Sequence, residues 1–227
     1  MTSPLTTPST TAHDPASQDL EYQRDAIAAL GHELRLLVDA TVRITASPES
    51  LHRLAGDVRA LTGQLTGPRR QPADIPEVDE FPGGVRMYSP VTGVGSPLAP
   101  PMQVTPVDGG VIGRVLLGIA HEGPPGYGHG GFSAMLLDEL MGWACTAAGR
   151  PGMTISLRMR YLGPVPLETP LLVNAHVTGT EARKVFVTGS ITTEEDPSTA
   201  LVTADGIFVA PGPELVRALF PALDNTK

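Results

Sequence analysis

The sequence predicts an α+β unit in which an antiparallel sheet wraps one long central helix, with a helical extension ahead of it. Three observations predict this. Residues 130–148 are apolar on nearly every helical face and carry only Asp138 and Glu139 as charges, the mark of a helix enclosed all round. Four strand-like runs follow in succession, at 153–162, 171–178, 185–192 and 201–210, separated by Gly/Pro or charged turns. No helical pattern lies between those runs, which excludes a doubly wound parallel sheet.

Composition sets the outer bounds. The 227 residues include 25 glycines and 23 prolines, too many for a helical bundle, because neither belongs in helix interiors. Apolar residues make up 41 % of the chain, enough for a core. Sixteen basic and 24 acidic residues give a net charge of −8, shared evenly between the two halves, and lysine occurs only at positions 184 and 227. A broad nucleic-acid-binding surface does not fit that distribution. Cys145 is the single cysteine, so there is no internal disulfide and no cysteine-ligated zinc cluster. No run of 18 apolar residues exists, so no transmembrane segment is expected. Residues 1–19 lack a basic region and an apolar stretch of the secretory kind, and a cytoplasmic protein is the expectation.

Taken in order, residues 1–19 are Ser-, Thr- and Pro-rich and read as a disordered tail. Residues 20–66 read as two amphipathic helices: Ile27, Leu30, Leu34, Leu37 and Val38 recur at helical spacing, and Leu51, Leu54, Val58, Leu61 and Leu65 form a second stripe. Between them Ser47-Pro48-Glu49 supplies a capping hydroxyl, a first-position proline and a first-turn acid. These helices are expected to dock on the rest of the molecule or on a second subunit. Residues 67–101 hold 13 glycines and prolines in 35 positions and read as an extended connector without packing. Residues 102–212 form the sheet-and-helix unit, opening with a β-like run at 111–119. Residues 213–227 are a C-terminal tail.

The chemistry concentrates on the central helix. His129-Gly130-Gly131 stands at its start, where unpaired N–H groups and the positive end of the dipole favour an oxyanion. Glycine there lets a substrate oxygen approach closely. A carboxylate within so apolar a helix is costly unless it is paired or used. Asp138 and Glu139 lie about 100° apart around the axis, so one of them at most serves a given site. In the strand that follows, alternation places Met153, Ile155, Leu157, Met159 and Tyr161 on one face and Thr154, Ser156, Arg158 and Arg160 on the other. The Gly-Phe-Ser-Ala-Met run at 131–135 lacks the second glycine of a nucleophile elbow, and His121, His129 and His176 have no metal-ligand spacing.

The segments HGGFSAMLLDELMG (129–142), MTISLRMRYLGPVP (153–166) and EARKVFVTGSI (181–191) together resemble the hotdog-fold acyl-CoA thioesterases of the PaaI-like type, over about 110 residues. The resemblance implies that the Gly130 N–H, near His129 and Gly131, polarises a thioester carbonyl. It implies that Asp138 is the catalytic carboxylate and that Thr154 is the hydroxyl that orients water. Coenzyme A would enter as part of the substrate with no separate cofactor, and Arg158, Arg160, Arg183 and Lys184 are its candidate contacts. Relatives often carry a basic residue where Gly163 stands here. His129 and Asp138 are nine residues apart, roughly 13 Å along a helix, too far to meet one carbonyl within a chain. The resemblance therefore implies a homodimer or homotetramer with sites between subunits. An acyl-thioester hydratase or dehydratase and a non-catalytic acyl-CoA-binding protein remain as alternatives.

Overall fold

The computed structural model describes residues 15–72, 74–80, 84–212 and 214. Two helices, α1 (Pro15–Arg43) and α2 (Pro48–Gln64), lead into a long irregular segment. Strands β1 (Gln103–Val107) and β2 (Gly110–Leu116) precede helix α3 (Gly130–Ala147). Strands β3 (Met153–Tyr161), β4 (Pro170–Glu181), β5 (Lys184–Thr193) and β6 (Val202–Val209) complete the chain. The six strands form one antiparallel sheet in the order β1-β2-β4-β5-β6-β3, so β1 and β3 are its edges. This is the hotdog arrangement.

Burial explains why the sheet curls. Leu136, Leu137, Leu140, Met141, Ala144 and Cys145 of α3 are all essentially inaccessible and pack on Val173, Val187, Ile191, Ala204 and Phe208 of the sheet. Gly189 on β5 allows the approach, because a Cβ there would stand 2.9 Å from a methyl of Leu137. β1 was not legible in the sequence. It is a five-residue run containing Pro106, a residue with no N–H for a ladder, and such a strand survives only at an edge.

Two expectations are corrected, and a third is met by one helix of two. Helix α1 begins at Pro15 and so takes in the last five residues of the segment read as a tail; proline is well suited to a first helical position. Residues 1–14 of that tail, like nearly all of 213–227, lie outside the described residues. The connector at 67–101 is packed, not extended: Val78, Met87, Val91 and Ala99 are buried, and Val91 belongs to the main core. Of the two N-terminal helices only α1 docks within the chain. The Ser47 hydroxyl accepts the Ser50 N–H at the start of α2 as its sequence suggested, but α2 buries no side chain and leaves Leu51, Leu54, Val58, Leu61 and Leu65 exposed.

α1 is held against the connector by polar clamps and one close backbone approach. Arg35 donates to the carbonyls of Val94 and Ser96 at 2.7 and 2.9 Å. Arg24 donates to the Val78 carbonyl and pairs with Glu80, each at 2.9 Å. Arg43 pairs with Asp39 on its own helix and with Glu168. A Cβ on Gly31 would stand 2.5 Å from the Val94 carbonyl oxygen, and one on Gly95 would stand 2.3 Å from Cγ2 of Ile27. Neither position has room for a side chain.

Two predictions follow from the packing. Gly95→Ala forces α1 and the connector apart and lowers stability by about 1–3 kcal/mol in urea unfolding; an unchanged midpoint would contradict the close approach. Burial pushes the Cys145 thiol up to about 11, so the folded protein resists thiol reagents at pH 8 and yields its one thiol only on denaturation. Rapid labelling of the native protein would count against that enclosure.

Candidate active site

Helix α3 starts with an unusual cap. His129 sits in extended backbone, and its imidazole Nδ1 accepts the Gly131 N–H at 3.0 Å. The His129 carbonyl accepts the Phe132 N–H. The Gly130 N–H has no hydrogen-bond partner among the described residues and is the open donor of the first turn. On the carbonyl side of Gly130, the Tyr161 hydroxyl donates to the oxygen at 3.1 Å. Pro124, Tyr127, Ser133, Tyr161 and Gly163 border a cleft of about 490 Å³ around Gly130.

Asp138, two turns further along, opens into a different cleft. The Thr154 hydroxyl donates to Asp138 Oδ1 at 2.7 Å. Their cleft, about 470 Å³, is bordered by Gly84, Arg86, Glu139, Trp143, Met153 and Phe208 among others. It shares no bordering residue with the cleft at Gly130. The chain thus carries two separate clefts, one at an open N–H and one at a carboxylate held by a hydroxyl.

The Thr154–Asp138 contact depends on a β-bulge. β3 pairs with β6 as Thr154 with Phe208 and then Ser156 with Ile207, which leaves Ile155 as the extra residue. Opposed residues of an antiparallel pair point to the same face. Thr154 therefore shares a face with Phe208, and with Leu157 and Met159, which oppose Gly206 and Ala204. Simple alternation put Thr154 on the opposite face with Arg158 and Arg160. The bulge turns its hydroxyl towards α3.

The same register separates the predicted cations from Asp138. Arg158 opposes Asp205 and Arg160 opposes Thr203, on the outer face of the sheet away from α3. Both are exposed. Arg183 and Lys184 lie at the turn between β4 and β5, and Lys184 stands in one row with Val209 and Met153. They share the Thr154 end of the sheet, two strands away.

Glu139 has a separate task. Its Oε1 accepts from the Trp143 indole N–H at 3.3 Å and from the Ser89 and Thr92 hydroxyls at 3.4 Å, tying α3 to the connector. Arg86 enters the Asp138 cleft from the connector, where it pairs with the buried Asp79 at 3.0 Å. Sequence reasoning missed Arg86 because nothing local marks a residue of a Pro/Gly-rich segment as a neighbour of one 52 positions away. Tyr161 lay in a quoted motif, but its partner carbonyl belongs to another element. Among the described residues no cluster of His, Cys, Asp and Glu could hold a metal ion, and no helix is long and apolar enough to cross a membrane.

Comparisons with known proteins bear on the fold and on the family. A family model described as the thioesterase superfamily matches residues 125–200. Mouse acyl-coenzyme A thioesterase THEM4 is 33 % identical over 97 residues, covering 43 % of this chain and 41 % of the relative. Human acyl-coenzyme A thioesterase 13 is 32 % identical over 76 residues, covering 33 % of this chain and 54 % of the relative. The chain thus spans about two fifths to one half of the length of these curated relatives. A crystal structure of a thioesterase superfamily protein aligns with a TM-score of 0.69 and 33 % identity over 81 % of this chain and 90 % of that one. The sheet and α3 alone make up less than half of the chain, so the likeness extends into the N-terminal elements. With the family model over residues 125–200 and this structural match over most of both chains in agreement, the chain belongs to the thioesterase superfamily.

Proposed function

We propose that the protein hydrolyses an acyl-CoA to a free acid and coenzyme A at sites shared between two copies of the chain. The Thr154 hydroxyl bound to Asp138 in an open cleft is the observation that carries this reading. Asp138, as general base, takes a proton from a water that Thr154 helps to orient. The water oxygen bonds to the thioester carbon, and the carbonyl oxygen becomes an oxyanion facing the Gly130 N–H. Collapse of that intermediate breaks the carbon–sulfur bond, and the proton held by Asp138 passes to the departing sulfur. Coenzyme A is part of the substrate, and Arg183 and Lys184 at the Thr154 end are the nearer candidates for its phosphates.

Edge strand β3 supports the two-copy arrangement. Thr154 stands near one end of it and Tyr161, bonded to Gly130, at the other. Two β3 strands paired antiparallel about Leu157 would bring each Met153 across from the other copy's Tyr161. The Asp138 cleft of one copy would then meet the Gly130 cleft of its partner. Met153, Ile155 and Tyr161 are exposed on this edge, as expected of a strand that pairs with another chain.

The test is thiol release over acyl-CoAs of differing length and aromaticity. Asp138→Asn lowers kcat by about 10²–10⁴-fold with unchanged circular dichroism, and Thr154→Val lowers it less. Equal rates in wild type and Asp138→Asn would remove Asp138 from the mechanism. Gly130→Pro deletes the proposed oxyanion donor at a first helical position, where proline is tolerated, and costs about 10²–10³-fold. Mixing Gly130→Pro with Asp138→Asn and allowing subunits to exchange restores activity, because each mixed dimer contains one intact site. No recovery after verified exchange would place each site within a single chain.

A further inference from the structure

The Asp138 cleft does not end at Trp143. A second pocket of about 370 Å³ lies beyond it, lined by Val85, Met87, Thr92, Val94, Met102 and Val104. The two share Gly84, Arg86 and Trp143 on their borders, so they adjoin across these residues. The far pocket is built by the connector and by β1, and none of its lining residues except Trp143 falls within the segment matched by the family model.

We propose that this far pocket receives the outer end of a straight aliphatic acyl chain, so that the connector sets the chain length accepted. The proposal rests on the acyl-CoA reading above and adds the acyl class to it. Three valines and two methionines make up half of the lining, with Glu80, Arg86 and Thr92 as its polar members, and methionine adapts its shape to a flexible chain. The wall is also fixed relative to Asp138. Glu139, the next residue in α3, holds Ser89, Thr92 and Trp143 through one carboxylate oxygen. Asp79 accepts the Met87 N–H at 2.8 Å and pairs with Arg86, which anchors the same stretch from its other side. A chain leaving a thioester carbon near Asp138 thus has a defined apolar path past Trp143.

The experiment compares acetyl-, butanoyl-, octanoyl- and dodecanoyl-CoA with wild type, Val104→Phe and Val85→Phe, the added ring occupying the far pocket in each variant. Burying one methylene is worth roughly a factor of four, so wild-type kcat/KM rises with chain length until the pocket is filled. Either variant lowers the octanoyl-to-acetyl ratio of kcat/KM by ten-fold or more. A ratio within two-fold of wild type in both variants overturns the proposal and sends the chain elsewhere. If wild type hydrolyses none of the four, the hydrolase reading fails and the pocket is judged by calorimetric binding. Octanoyl-CoA bound at least ten-fold more tightly than acetyl-CoA by wild type, with the preference lost in both variants, supports the proposal. Equal affinities for the two in wild type overturn it.

Discussion

The structure depends on one constraint, the need to bury the long apolar side of a helix that carries only two charges. α3 turns Leu136, Leu137, Leu140, Met141, Ala144 and Cys145 to one broad buried side, and its opposite side, at Met135, Asp138, Glu139, Gly142 and Trp143, is only partly covered. The sheet curls under it, and connector residues such as Val91 close around what the sheet leaves open. Only at Asp138 and Glu139 does the helix carry charge, and each is given polar partners: a hydroxyl from β3 for the first, and an indole and two hydroxyls for the second. An unpartnered carboxylate at either position would work against the burial that shapes everything around it.

Much of the fold was legible because that helix is so apolar and because four runs in succession alternate or are uniformly hydrophobic. What escaped has identifiable causes. β1 is short and contains Pro106, so its local pattern argues against a strand; only the edge position tolerates it. The connector looks loose because glycine and proline dominate it, yet Gly93 and Gly95 are buried and Gly95 is where α1 makes its closest approach. Those glycines record contact and not looseness. Composition cannot separate the two cases.

The residue types of the site were visible, but their geometry was not. Asp138 stood out by its cost, and Gly130 by its place at a helix start. Thr154 was named through a family resemblance, while strict alternation turned it away from the helix that it touches. A bulge adds one residue without leaving a composition signature, and so a period-two reading passes over it. The cations show the converse. Arg158 and Arg160 were grouped with Thr154 by alternation, and the same bulge separates them.

Glu139 has a wider meaning. The portion of the chain shared most broadly with relatives, residues 125–200, is not a portable module. One of its own carboxylates is committed to hydroxyls that lie 47 and 50 positions upstream. Grafting that portion onto a different leader would strip Glu139, the neighbour of Asp138, of its Ser89 and Thr92 partners and leave it only the Trp143 indole, and it would remove the cover that Val91 and Val111 give to α3. The N-terminal segment and the shared core thus have to change together, like a lock and the plate it is screwed to.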